Sequence, residues 1–432
     1  MSAPVVEPDA LAHPESGEGR KRPRSYKGPI ALGVIALVAL VGLGFFTSSD
    51  TETTFSFAKN SDFFTIPDLT VPSLMAVIVL TVIALLLAVY SLVLATNHRK
   101  PGIWLPVVYG IAIIGALLTT AGAGRDNTSI QFTSLLTSSL FLAVPLVFGA
   151  LAGTICERSG IVNIAIEGQL LAGAFLAALV GSMAGNAYIG MVVAPLAGAA
   201  VGAILAVFAT KYWVDQIVVG VVLNLLVLGL TGFFFNTVMS DNPNLNQSLN
   251  MQSIDIPVLS SIPIIGPVLF QQNLLVYILY VTVIVTQIML FKSRWGLRVR
   301  AVGEHPKAAD TVGIKVNRTR LRNTILGGAV AGLGGAFFTV ASGLAFGNNM
   351  SAGKGYIALA AMILGRWSPR GALVAALLFG FADALRVQLG IIGSDIPSEF
   401  LAMTPYLATI LAVAGLVGHS RAPAAENIPY KK

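Results

Sequence analysis

The amino-acid sequence predicts an all-α protein, a polytopic membrane helical bundle of about twelve spans that contains broken helices. Three observations carry this expectation. First, 55% of the 432 residues are hydrophobic and only 11% are charged, where a soluble domain carries about a quarter. Second, apolar blocks of about twenty residues, the length that crosses a bilayer as a helix, recur along nearly the whole chain. Third, Lys and Arg gather in alternate gaps between the blocks, as cytoplasmic loops require. The net charge of +7 therefore reads as a positive-inside bias and not as a nucleic-acid surface. The single cysteine, Cys156, excludes an internal disulfide and any multi-cysteine metal site. His13, His98, His305 and His419 are too scattered to form a ligand cluster.

Residues 1–28 are polar and carry Arg20, Lys21, Arg22, Arg24 and Lys27, which reads as a disordered cytoplasmic tail. The block Pro29–Thr47 has a long polar lead and no small-x-small cleavage site before Asp50. It is expected to stay as a first span rather than leave as a signal peptide. Ser48–Pro72 holds Asp50, Glu52, Asp62 and Asp68 and fits the outer side. Ser73–Ala95 and Ile103–Ala121 flank a basic turn with His98, Arg99 and Lys100. Residues 29–133 thus read as an N-terminal extension of three spans, 134–418 as the core and 419–432 as a second cytoplasmic tail.

The core opens with the span Ser134–Gly153. It is followed by TICERSGIVNIAIEGQ (154–169), which sets Glu157, Arg158, Asn163 and Glu167 among apolar residues. A charge at membrane depth costs about 2.5–3.5 kcal/mol on insertion scales unless paired or hydrated. Glu157 and Arg158 fit either a cytoplasmic surface or the interior. Glu167 lies a turn or more inside the next block and needs a partner or water. Spans Ile161–Ala184, Ala187–Ala209, Ile217–Met239 and Leu274–Lys292 follow. Gly198 and Gly202, four apart, suit close helix approach. The long loop Ser240–Asn273 contains Asp241 and Asp255 and no Lys or Arg, which places it outside.

Arg294–Arg322, RWGLRVRAVGEHPKAADTVGIKVNRTRLR, is the longest basic run between two apolar blocks, with eight Arg or Lys against Glu304 and Asp310. Pro306 suits a helix start, where its missing amide hydrogen is not needed. Gly313 suits the stop. Between them Ala308, Ala309 and Val312 are spaced to share one face, leaving Lys307, Asp310 and Thr311 for the rest. A two-turn helix held out of a membrane by basic flanks has the shape of a docking element. Next come the glycine-rich Asn323–Ala345, the polar FGNNMSAGKG (346–355), the half-length Tyr356–Trp367, and spans Ala372–Ile392 and Phe400–Val417. Arg421, Lys431 and Lys432 put both termini in the cytoplasm.

Ser134–Gly181 and Asn323–Gly365 share an order: a Gly/Ala/Leu-rich span, a polar interruption, a short apolar helix. Their first spans run in opposite directions by this topology, so an inverted repeat is expected, as in transporters with a site near the midplane. No GxxxxGK[ST] phosphate loop, HExxH or GxSxG occurs, so no catalytic residue, cofactor or metal ligand is assigned. Glu157 and Glu167 also suit a proton relay, and an ion-coupled secondary carrier stands as one alternative.

Glu157–Phe175, ERSGIVNIAIEGQLLAGAF, resembles the permease subunits of bacterial ATP-binding-cassette importers. The resemblance is to the binding-protein-dependent inner-membrane group that includes ribose-type sugar, branched-chain amino acid and nucleoside permeases. Arg300–Lys315, the glycine-rich Gly327–Phe337, and Gly353–Gly371 with Leu378–Ala384 agree with the same group. Together they cover about residues 134–418. The form Glu-Arg-x-Gly-x-x-Asn-Ile-x-x-Glu-Gly is that of the nucleoside branch, from which Asn348–Gly355 departs while Lys354 keeps the charge.

This resemblance implies a subunit that translocates nucleosides, with simple sugars or branched-chain amino acids as alternative cargo. The implied partners are an ATPase subunit using ATP and Mg, a second permease of similar fold, an external substrate-binding lipoprotein and the lipid of the plasma membrane. On that reading Glu304, Pro306, Lys307, Ala308, Ala309, Asp310, Val312 and Gly313 couple to the ATPase, with the Ala/Val face packed in its groove. Asn163, Glu167, Gln169, Asn224, Asn348 and Asn349 are the candidates for the substrate pathway. Amide groups offer donor and acceptor together, which suits ribose hydroxyls and base edges. Each also reads as glue between helices. Phe346 and Tyr356 are candidates to stack on a base.

Overall fold

A computed structural model describes residues 26–57, 63–64, 66–99, 101–102, 104–125, 129–392 and 421–431. The expected disordered tail lies outside the described residues up to residue 25, and the expected last span Phe400–Val417 lies wholly outside them. The chain divides into one unit of residues 1–54 and 70–128 and a second of 55–69 and 129–432.

The first unit contains three helices, α1 (Lys27–Phe46), α2 (Ser73–Thr96) and α3 (Trp104–Gly122). They pack through Ala36, Ala84, Ala88, Tyr109 and Ala112. The Tyr109 hydroxyl donates to the Leu32 carbonyl at 2.7 Å. Small residues at these contacts let the backbones come close, which is what drives association where lipid removes the hydrophobic incentive.

The second unit holds α4 (Phe132–Glu157), α5 (Ile166–Ala184), α6 (Ala187–Thr210), α7 (Gln216–Phe234) and α8 (Leu274–Lys292). It continues with α9 (Arg294–Glu304), α10 (Pro306–Thr311), α11 (Val316–Gly335), α12 (Lys354–Leu364) and α13 (Pro369–Ile392). A π-helical turn, Phe235–Met239, extends α7. The long loop after it contains a small antiparallel pair, Ser253–Asp255 with Gln271–Asn273. Among the described residues nine helices, α1 to α8 and α13, are long and apolar enough to cross a membrane. The half-length segment predicted at 356–367 is the eleven-residue α12.

The centre of this unit is built on glycine contacts. A Cβ at Gly198 of α6 would lie 2.1 Å from the Gly328 carbonyl oxygen of α11, and one at Gly202 would lie 2.7 Å from that of Thr324. Gly173 of α5 meets the Gly332 carbonyl in the same way, at 2.1 Å. The Gly198/Gly202 spacing read from the sequence is thus a helix–helix contact. α4, α5 and α6 surround α11, and Phe148, Leu151, Leu170 and Phe379 fill the space beside them.

Several elements differ from expectation, with α4 ending four residues after Gly153 and α5 beginning five after Ile161. The span expected at Asn323–Ala345 is α11, which begins seven residues earlier and stops at Gly335. A 3-10 turn, Ala336–Phe338, and successive turns follow, with Val340 and Ala341 buried. Apolarity there reports burial and not helicity. The basic loop also holds a helix that was not expected, α9, started by the Ser293 hydroxyl accepting from the Gly296 amide at 3.1 Å.

Replacing Gly198 by Leu is expected to destabilise this unit by about 1–3 kcal/mol through overpacking. Thermal unfolding in detergent should show a lowered Tm. Gly229→Ala, where an added Cβ meets nothing within 4 Å, should leave Tm in place.

Candidate functional site

Two stretches of irregular backbone enter the interior of the second unit. One joins α4 to α5, residues 158–165, and the other joins α11 to α12, residues 339–353. Backbone amides in such stretches lack helical partners, and at low dielectric each needs an acceptor. Turn carbonyls supply some of these acceptors and side chains supply others.

Glu167, in the first turn of α5, serves the second stretch. Its Oε1 accepts from the Ser351 hydroxyl at 2.6 Å and the Gly353 amide at 2.8 Å, and its Oε2 accepts from the Gly355 amide at 2.6 Å. The partner that the sequence demanded for Glu167 is therefore the start of α12. Gly355 has to be glycine for this approach, because a Cβ there would lie 2.4 Å from the Glu167 nitrogen. Beside it Lys354 pairs with Asp383 of α13, and Arg386 lies 3.7 Å from the same carboxylate.

Glu157, the last residue of α4, is buried within the protein. Its Oε2 accepts from the Trp367 indole at 2.5 Å and its Oε1 from the Asn163 amide at 3.4 Å. Arg158 donates to the carbonyls of Trp367 and Arg366 at 2.9 and 3.2 Å and lies 3.9 Å from Glu304. Outside the span, Glu426 turns its carboxyl toward Glu157. Burial holds it above the usual carboxylate range, while Glu157's hydrogen bond and the positive charge of Arg158 pull the other way.

The remaining pathway candidates divide into two sets. Asn163 and Gln169 exchange amide hydrogen bonds at 3.0 and 3.1 Å and are fully buried, with Asn163 also 3.5 Å from the Cys156 sulfur. Asn224 accepts from the Gly168 amide at 2.8 Å and donates to the Ile164 carbonyl at 2.9 Å and the Tyr356 hydroxyl at 3.2 Å. These three amides and Glu167 hold the breaks together. Asn348 and Asn349 are exposed, Asn348 donating to Asn236 at 3.4 Å. Of the two stacking candidates, Phe346 is buried edge-on against Phe175, with ring centroids 5.3 Å apart, whereas Tyr356 is exposed.

The short helix in the basic loop forms where the sequence placed it. Pro306 occupies its start, the His305 ring accepts from the Ala308 amide at 3.4 Å, and Gly313 takes φ +84° beyond its end. The single Ala/Val face is a correction. Ala309 is buried against Val302 and Val316 of this chain, while Ala308 points out and Val312 is 75% exposed. Two successive turns are too short for three-and-four spacing to decide which side a covering segment will take. Lys307 is exposed with Ala308, and Glu304 is committed to Arg158 and the Ala424 amide. Next to Val312 opens a cavity of about 690 Å3 lined by Arg294, Arg298, Lys315, Arg318 and Arg322.

Residues 135–417 match the family model described as the branched-chain amino acid transport system permease component. The chain belongs to this permease family. It is 38% identical over 317 residues to the guanosine ABC transporter permease protein NupQ of Bacillus subtilis, covering 70% of this chain and 98% of that relative. It is 38% identical over 309 residues to the nucleoside ABC transporter permease protein NupC of Lactococcus lactis, covering 69% and 96%. A putative glucose ABC transporter permease protein of Haloferax volcanii, TsgC13, is 32% identical over 258 residues, covering 59% and 77%. No solved structure matches the chain.

The permease is thus an integral membrane transport component and not a catalyst. Sequence reasoning missed Ser351, Trp367, Asp383 and Arg320 as parts of its polar network. Asp383 had a signal, being the lone acid in the apolar block 372–392. Trp367 had none, because its indole partner is more than two hundred residues away.

Glu157→Ala should leave the buried Trp367 indole without an acceptor, a cost of about 1–3 kcal/mol. Thermal unfolding should show that loss, and Glu157→Gln, which keeps an oxygen in place, should recover most of it. Equal Tm values for wild type and both variants would contradict this role.

Proposed function

We infer that this permease subunit moves nucleosides across the membrane within an ATP-driven importer. The observation that carries the reading is that the two relatives at 38% identity are named for guanosine and for nucleosides, while the one at 32% is named for glucose. The exposed amides Asn348 and Asn349 and the exposed Tyr356 add support, since such groups suit ribose hydroxyls and base faces. The chain has no phosphate loop, so energy comes from a separate ATPase chain that uses ATP and Mg. The outward edge of α10, with Lys307, Ala308 and Val312, and the neighbouring basic cavity are the surface offered to that ATPase. A second permease of similar fold and an external binding lipoprotein complete the assembly. The basic loops support a cytoplasmic position for both termini, with residues 29–133 as an N-terminal extension to the core at 134–418.

Uptake of labelled guanosine, uridine, ribose and leucine in a strain lacking this gene tests the reading. Nucleoside uptake should fall to the background level and return with the gene. Ribose and leucine uptake should stay level. Loss of leucine or ribose uptake alone would replace the cargo.

A further inference from the structure

The family match ends at residue 417, yet Arg421–Lys431 makes ordered contacts with the core unit. The Ala425 amide donates to the Gly303 carbonyl at 2.8 Å, and the Ala424 amide donates to Glu304 Oε2 at 3.2 Å, so the segment is tied to the end of α9. Tyr430 packs on the cluster of Val302, Ala309 and Val316, which puts an aromatic ring against the inner side of α10. Its carbonyl accepts from Asn317 of α11 at 3.5 Å. The Lys431 ammonium lies 4.8 Å from the centroid of the Trp213 ring, in the turn between α6 and α7.

Arg320 of α11 sits under this segment and is only 2% exposed. Its guanidinium donates to three backbone carbonyls: Ser159 at 3.2 Å, Ile428 at 2.7 Å and Ala425 at 3.2 Å. Ser159 belongs to the break between α4 and α5, and the other two belong to the segment. None of the ion pairs among the described residues includes Arg320. Space for the guanidinium depends on Gly160, where φ is +94° and a Cβ would lie 2.6 Å from Nη2.

A buried cation without a counter-ion is tolerable only while its hydrogen bonds are complete. Here completeness requires the break, α11 and the segment to stay together. Pulling the segment from the break would strand the charge, so the low-energy movement carries all three. The segment also grips α9 and α10. The loop and the break already touch directly, since Gly303 lies against the Arg158 carbonyl and Glu304 lies 3.9 Å from Arg158. The segment closes the remaining side.

We propose that residues 423–430, fastened by Arg320, form a strap that makes the α9–α10 loop and the α4–α5 break move as one body. Arg320 is then a positioning residue for coupling. The strap rests on the importer reading above, because only a docked ATPase gives the loop a movement to transmit.

The test uses the complete transporter, purified with its partner chains and reconstituted in liposomes. Three variants are compared with it: 423–430 replaced by a Gly-Ser run of equal length, Arg320→Gln, and the conservative Arg320→Lys. The readout is ATP hydrolysed per nucleoside taken up. Poor folding lowers hydrolysis and uptake in step and leaves that ratio alone. The strap predicts that the ATPase co-purifies in unchanged amount and that the ratio rises about tenfold in the first two variants, within the usual range of coupling between sites. Arg320→Lys should restore part of the coupling. An unchanged ratio, with or without loss of assembled complex, would overturn the strap. An unaltered complex that shows no ATP-driven uptake would overturn the importer reading, and the strap with it.

Discussion

Every unpaired amide in the interior of a membrane protein needs an acceptor, and two buried carboxylates of this permease meet part of that demand. Glu157 and Glu167 stand at the two ends of the break between α4 and α5, and each reaches across to residues 351–367. Irregular backbone at membrane depth persists only when buried in protein or lining a cavity. Here Glu167, just past the first break, supplies acceptors for the Gly353 and Gly355 amides at the end of the second. The close glycine contacts of α6 with α11 and of α5 with α11 bring the backbones beside the breaks together by packing alone.

This arrangement divides the polar residues by task. Asn163, Gln169, Asn224 and Glu167 have their donors and acceptors occupied by protein, so they set the shape of the breaks. Asn348, Asn349 and Tyr356 are exposed, and they are the groups we propose for cargo. The same division holds in the basic loop. Ala309 is spent on the chain's own packing, whereas Lys307, Ala308 and Val312 remain outward beside five cations. The surface we propose for a partner is the edge of α10, because the apolar face that spacing suggests is not formed.

Most of the fold was legible in the sequence because membrane spans are long and their signal is compositional. The boundaries of α2, α3, α8 and α13 lie within about three residues of expectation, the usual scatter of helix ends. α11 was misjudged because Val340 and Ala341 are apolar for burial in turns. α9 was passed over because its four arginine and glutamate side chains hide an inner face of Gly296, Val299, Val302 and Gly303. At the site, Glu167 announced its need for a partner, but nothing local named Ser351, Gly353 and Gly355, which are more than 180 residues away. Arg320 looked like one more topology-setting cation among eight. Only the packing of residues 425–428 over it distinguishes it.

The pairing of the two breaks is tested most directly by amide hydrogen exchange at Gly353 and Gly355, compared between the wild type and Glu167→Gln. The carboxylate accepts on both oxygens. The amide keeps one acceptor and turns an NH2 toward a donor. Protection at one or both glycines should therefore fall, while the α6 and α11 amides around Gly198 and Gly328 keep theirs. Unchanged protection at both Gly353 and Gly355 would contradict the claim that Glu167 holds the second break to the first.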